Sequence, residues 1–300
     1  MPSYRTLIPA ASCALLLACG GAQTPAEPCP VVDAACPECE ACEDSGEHRN
    51  LHAVLWMQTA LEFDRGTAQA YQLATMRLPE LVADASVTAS PEQVDDEGYA
   101  DLPPAIVLDL DETVVDNSPY QAWLIATGAS YSTETWNQWC EAREADAVPG
   151  ALEFLAFAEA QGVEIFYVSN RRAVVEQATI DNLVALGLDA NEDNVILRGE
   201  LDDGSAKSSR REHVGETHRI VMLFGDNLGD FVDGYYDTLD GREALVADYA
   251  DWFGERWIVL PNPQYGSWVS ALTHDEDVPD GGELDAIRAD LEAWSGPTAE

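Results

Sequence analysis

Ile106-Val107-Leu108-Asp109-Leu110-Asp111-Glu112-Thr113 is a short, β-rich apolar run that delivers two carboxylates, two residues apart, where the run ends. Side chains alternate along an extended chain, so Asp109 and Asp111 share one side at the carboxyl end of a strand. Open α/β sheets bind their ligands outside that end. Two neighbouring carboxylates repel, and a cation or a shared proton must hold them together. The pair predicts chemistry at this edge.

Working outward, short apolar runs alternate with helical patterns. Ala105–Leu108, Val163–Val168, Asn194–Leu197, Ile220–Phe224 and Trp257–Leu260 read as strands, and Gly150–Ala160 and Val174–Leu186 read as helices, with Gly187 as the cap of the second. The alternation predicts an α/β fold with a doubly wound parallel sheet. Upstream, Leu51, Val54, Leu55, Tyr71 and Leu73 give a helical pattern from Asn50 to Leu78 that Pro79 is expected to stop. Asp84 to Pro104 is polar and Pro-punctuated, and reads as a linker or loop.

Three more sites at or near strand ends carry reactive groups. Ser169-Asn170-Arg171 follows the second strand, and Gly225-Asp226-Asn227-Leu228-Gly229-Asp230 follows the fourth. Between them lies Lys207, the one lysine of a chain that also has fourteen arginines. An arginine serves equally well as a surface charge, but a compact ammonium reaching a phosphate oxygen or a carboxylate is harder to replace. Singly, each element reads as a helix cap, a turn or a solvated charge. Four in order, each with the needed group, predict one site.

The chain has 300 residues, with 55 Asp plus Glu against 15 Lys plus Arg and a formal net charge of −40. That length suits one or two domains with a sizeable core. Such a surface repels nucleic-acid backbones and anionic membranes, so no nucleic-acid partner is expected. Residues 1–18 read as a signal peptide: Arg5, an apolar stretch from Leu7 to Leu17 too short for a permanent span, then Leu16-Leu17-Ala18-Cys19. The ending resembles a bacterial lipobox, with Cys19 as the lipidated residue. This predicts an exported protein, anchored by lipid in the outer membrane or held in the periplasm. Residues 19–47 form a tether with Cys29, Cys36, Cys39 and Cys42, open to two disulfides or to a zinc ion. Cys140 beside Trp139 reads as a buried apolar side chain.

The order Asp-x-Asp-x-Thr, Ser, Lys, Gly-Asp-x-x-x-Asp resembles that of the haloacid dehalogenase-like phosphohydrolases. More narrowly, the chain is similar to the class C acid phosphatases, the lipoprotein e family with 5′-nucleotidase activity. The likeness is carried by Asp109-Leu110-Asp111-Glu112-Thr113 with Asp116-Asn117-Ser118-Pro119-Tyr120, by Tyr167-Val168-Ser169-Asn170-Arg171 with Thr179 and Asn182-Leu183, by Phe224-Gly225-Asp226-Asn227-Leu228 with Asp230-Phe231, and by Pro261-Asn262-Pro263 before Tyr265-Gly266. It runs from about Asn50 to Leu272.

The resemblance implies roles. Asp109 is the expected nucleophile, forming an aspartyl-phosphate, and Asp111 the acid that protonates the leaving alcohol and then the base that activates water. An acid two residues after the nucleophile favours phosphate-ester hydrolysis over the other reactions of the superfamily. Mg²⁺ is expected on Asp109, the Asp111 backbone carbonyl and Asp226, with Asp230 beside it or bound through water. Ser169 and Lys207 are expected to bind the transferring phosphoryl oxygens. The pH optimum is expected on the acid side of neutral. Substrate choice is expected from a small helical cap built from the N-terminal region, residues 48–100, and an insert at about 117–149 within a core spanning 101–273. Trp136 and Tyr265 are the expected platforms for a nucleobase, with Trp123 and Trp139 packing as core. The expected partners are small-molecule phosphate monoesters, nucleotides above all. The alternatives are a broad phosphomonoesterase and a non-catalytic surface-binding lipoprotein. Residues 274–300 read as an acidic tail with a short helix. The acidity, Asp202-Asp203-Gly204 ahead of Lys207 and the Cys-rich tether depart from the family pattern.

Overall fold

Strands buried on both faces need continuous apolar sequence, and the short hydrophobic runs supply it. The computed structural model describes residues 50–96, 98–274 and Ile287. Along them the chain forms α1 (Leu51–Thr59), α2 (Leu61–Ala83), β1 (Pro104–Leu108), β2 (Val115–Asp116), α3 (Ser118–Thr127), α4 (Thr133–Ala142), β3 (Asp146–Ala147), α5 (Ala151–Ala160) and β4 (Glu164–Arg172). It continues through α6 (Glu176–Ala185), β5 (Val195–Arg198), α7 (Ser208–Gly215), β6 (Arg219–Gly225), α8 (Leu239–Ala247), β7 (Trp257–Val259) and α9 (Ser267–Ala271). The expectations for the signal peptide, Cys19, the four tether cysteines and, His274 and Ile287 apart, the acidic tail lie outside the described residues.

The sheet order is β5-β4-β1-β6-β7, and every neighbouring pair is parallel. Alternation sends Ile106 and Leu108 of β1, with Ile165 and Tyr167 of β4, into a core shared with Tyr71, Leu78, Phe154 and Leu183. Ala105, Val107, Phe166 and Val168 point the other way, against Val214, Phe231 and Trp257. Helices therefore cover both faces, as the doubly wound reading requires. β1 lies between β4 and β6, which brings the ends of all three together. β2 and β3 form a separate antiparallel pair, Val115 opposite Ala147 and Asp116 opposite Asp146. The chain leaves β2, runs through α3 and α4, and returns by β3. α1 packs on α3, and α4 on α6.

Three expectations need correction. The helical pattern is two helices broken at Ala60, whose backbone is extended, and Pro79 does not stop the second, which runs on to Ala83. Burial of Leu78 and Leu81 on the two sides of Pro79 favours continuing the helix through the missing N–H. The stretch 84–104 is no loose linker. The Ala89 amide donates to the Ile220 carbonyl at 2.6 Å, and buried Gln93 donates to the carbonyls of Gly215 and His218 and accepts from the Ile220 amide. Trp123 is exposed and stacks on Tyr120 instead of packing as core; Trp139 is partly buried against the core.

Candidate active site

The first carboxylate is placed by the sheet itself. The Asp109 amide donates to the Phe224 carbonyl at 3.0 Å, continuing the β1–β6 ladder one residue past the strand. The Leu110 carbonyl then accepts from the amides of Thr113, Val114 and Val115, and Glu112 takes a left-handed φ of 60° to close this turn. Such a φ is costly for a side chain of this size, and it sits directly after Asp111. The turn carries Asp111 back over the same edge.

Lys207, just before α7, is 3 % exposed. Its Nζ lies 2.5 Å from Asp109 Oδ1 and 2.7 Å from Asp230 Oδ1. Asp109, Asp226 and Asp230 offer oxygens that all lie within 4.8 Å of one another. β6 carries the last two past its end, where a Cβ at Gly225 would overlap the Asp230 carboxylate, so only glycine admits that approach. Asp230 Oδ2 accepts from the Asn227 amide at 2.9 Å, and Asp226 Oδ2 from Asn262 Nδ2 at 2.8 Å.

Burial pushes the Asp109 carboxyl up to about 7, against the pull of Lys207 and with further push from Asp230 and Asp111. Burial likewise raises Asp226 well above the usual range, with Asp230 and Asp109 adding to it. Burial disfavours the Lys207 ammonium, but Asp109 and Asp230 outweigh it and hold Lys207 above its ordinary value. Three carboxylates against one ammonium leave negative charge in excess. An all-oxygen donor set with excess negative charge fits a hard divalent cation.

Asp111 is held by different partners. Arg171 donates to Asp111 Oδ1 from Nε at 2.9 Å and from Nη2 at 2.8 Å, and Asn117 Nδ2 donates to the same oxygen at 2.9 Å. Ser169 Oγ lies 3.4 Å from Asp111 Oδ2 and accepts from the Arg171 amide. Asn117 is a hub: its amide donates to Glu112 Oε1, and its Oδ1 accepts from Trp139 Nε1 at 2.8 Å. Glu112 is buried, and burial with the charges of Asp111 and Asp226 lifts its carboxyl well above the usual range. Arg210 ties the end of β4 to the segment before α7, donating to the carbonyls of Ser169 and Ala206 and to Asn170 Oδ1.

These groups open onto a cleft of about 1140 Å³. Asp109, Asp111, Lys207, Asp226 and Asp230 line its floor, and Trp136, Tyr131, Tyr265 and Trp268 its wall. The Arg171 guanidinium sits 5.8 Å from the centre of the Trp136 ring. Lys207 is in direct contact with Asp109 and with Asp230, and Asp226 lies beside them. Ser169 stands with Asp111, fully buried, while Trp136 and Tyr265 lie on the wall. The sequence reading missed Arg171 and Asn117 as partners of Asp111, and Asn262 as a partner of Asp226. The adjacency of Arg171 to Ser169 was the available signal, since an arginine two residues past a strand-end hydroxyl has the reach to return to the same edge.

An aspartate one residue past β1, a second acid two residues on, a buried lysine just before α7 and an acid pair after β6 form the arrangement of a haloacid dehalogenase-like fold. The family model of the HAD superfamily, subfamily IIIB (acid phosphatase), matches residues 39–268. The chain belongs to that family, which places it among the phosphomonoesterases. The class C acid phosphatase from Bacillus anthracis is 36 % identical, with a TM-score of 0.73 over 83 % of this chain and 99 % of that one. The same figures hold for that enzyme with tungstate bound. Acid phosphatase 1 from Solanum lycopersicum is 28 % identical over 131 residues, 42 % of this chain and 51 % of its own length. The chain thus spans about half the length of that relative.

Proposed function

We propose that this protein is a Mg²⁺-dependent acid phosphatase that hydrolyses nucleoside 5′-monophosphates through an aspartyl-phosphate. The observation that carries the reading is Lys207 Nζ, buried between Asp109 and Asp230 beside Asp226. Asp109 attacks phosphorus, the oxygen–phosphorus bond to the alcohol breaks, and Asp111 gives the leaving oxygen its proton. Asp111 then takes a proton from the water that attacks the phosphoryl-aspartate, and phosphate leaves. Lys207 offsets charge on the transferring group, and Arg171 and Asn117 hold Asp111 over the reacting oxygen. Held by Asp109, Asp226 and the Asp111 carbonyl, with Asp230 beside it, Mg²⁺ would supply a Lewis acid for the phosphoryl oxygens. A tetrahedral oxyanion, tungstate, is bound by the similar B. anthracis enzyme. The aromatic wall, with Trp136 and Tyr265, supports a planar base as leaving-group substituent, since stacking accepts any base.

Release of p-nitrophenol from p-nitrophenyl phosphate tests the reaction. EDTA is expected to abolish release and added Mg²⁺ to restore it; activity undiminished by EDTA would remove the metal from the proposal. Asp109→Asn is expected to lower kcat at least about 10³-fold with an unchanged melting temperature, and substantial residual turnover refutes the covalent route. We further propose export and lipid anchoring at Cys19, on the strength of the apolar stretch and Leu16-Leu17-Ala18-Cys19. Mass spectrometry of the mature N-terminus from a bacterial host decides it.

A further inference from the structure

Gln264 lies on the cleft wall between Pro263 and Tyr265. It is 3 % exposed, and neither its Oε1 nor its Nε2 has a hydrogen-bond partner. Among the described residues that line the cleft, it is the one buried side chain in this condition. A buried carboxamide with donor and acceptor both idle is costly, and native proteins seldom retain one without a use. Its backbone is well held: the Gln264 amide donates to Asn262 Oδ1 at 2.9 Å, and Asn262 Nδ2 reaches Asp226 Oδ2. The loop is therefore anchored to the catalytic edge while the side chain is not. Three rotatable bonds precede the amide plane, so the group can turn into the cleft without moving that backbone.

The charges of the cleft narrow what it meets there. Arg171 and Lys207 are the cations among the described residues that line the cleft, and each is already paired, with Asp111 or with Asp109 and Asp230. Recognition of the leaving group beyond its phosphate thus falls to neutral groups and aromatic faces. We infer that Gln264 is a specificity-determining residue whose carboxamide pairs with an adjacent donor and acceptor on a planar, uncharged leaving group, the edge of a heterocyclic base or of a carboxamide. A half-turn of the amide exchanges its oxygen and nitrogen, so the residue reads the presence of such an edge and not the order of its groups. This inference rests on the nucleotide reading above and adds a polar criterion to stacking.

The test is a ratio measured on one preparation: kcat/KM for inosine 5′-monophosphate, whose base presents an amide edge, divided by kcat/KM for phenyl phosphate, which has an aromatic leaving group without one. Gln264→Met keeps length and removes both hydrogen-bonding groups. The ratio is expected to fall about tenfold, through KM for the nucleotide, because a site built to pair with an edge loses that advantage when its own partner is removed. Loss of folded enzyme cancels in the ratio. Gln264→Glu, of the same shape but without the N–H donors, is expected to lower it as well. A ratio within about twofold of wild type in both variants overturns the role of Gln264. A wild-type enzyme that turns over phenyl phosphate and not the nucleotide sinks the nucleotide reading itself, and this inference with it.

Discussion

The two ends of β6 are both buried and both charged, yet they are built in opposite ways. At its start, Arg219 spreads its guanidinium over four backbone carbonyls, those of Leu81, Asp84 and Val87 from Nη1 and that of Val82 from Nη2. At its end, Asp226 and Asp230 crowd with Asp109 around one ammonium. Carbonyls carry partial charge and do not titrate, so the first arrangement, made through Nη1 and Nη2 with Nε left without a partner, clamps the end of α2. Carboxylates in excess over one ammonium do titrate, and their oxygens form a donor set that fits a cation. The difference separates a buried charge that holds the fold from a charged cluster that lines a cleft.

Substitution at the two cations sharpens that contrast. Lys207→Met is expected to lower kcat/KM for a phosphate ester by about 10²- to 10³-fold, the usual loss when a group that stabilises transition-state charge is removed. Arg219→Met is expected to lower unfolding free energy by about 3 kcal/mol in urea, since four carbonyls lose their donor, with kcat/KM per folded molecule within about twofold. A silent Lys207 variant, or an Arg219 variant that folds normally and turns over poorly, breaks the comparison.

A smaller effect concerns acid. Glu92 in the segment before β1 binds buried Arg211, whose Nε lies 3.1 Å from Glu92 Oε2 and whose Nη1 donates to the Asp230 carbonyl at 3.1 Å. Burial pushes the Glu92 carboxyl up, but hydrogen bonds and charge from Arg211, with Ser90, outweigh it and hold it below its ordinary value. A depressed folded value means that the native state binds the proton more weakly than the unfolded chain. The pair therefore stabilises fully above about pH 4.3, the ordinary value for Glu, and that contribution disappears as pH falls through the folded value. Glu92→Gln is expected to flatten the dependence of the melting temperature on pH in this range. A curve that keeps the wild-type slope would assign the acid sensitivity elsewhere.

Much of this was legible in the chain. Continuous apolar runs give parallel strands, and polar groups directly after three of them, with the one lysine between, marked the site. What stayed hidden has a common physical cause. Hydrophobic periodicity reports which face is buried and says nothing of where a long polar side chain finds its partners. Arg171 reaching Asp111, Arg219 reaching four carbonyls and Asn117 linking Glu112 to Trp139 are all of that kind. The segment 84–104 was hidden for a related reason: it docks through backbone pairing at Ala89, the Trp257 Nε1 bond to the Ala89 carbonyl at 2.8 Å, and Gln93, none of which leaves an apolar pattern. Pro79 misled because a local rule about one missing N–H lost to burial on either side of it.

The β2–β3 pair has an engineering consequence. Because Val115 and Asp116 lie opposite Ala147 and Asp146, everything from α3 through α4 enters and leaves the molecule at one narrow neck. A replacement of different length grafted there leaves the register of the parallel sheet untouched, provided it keeps Asn117, Trp139 and the faces of α3 and α4 that pack on α1 and α6. Such a graft would exchange Tyr131 and Trp136 of the cleft wall while Asp109, Lys207, Asp226 and Asp230 keep their places.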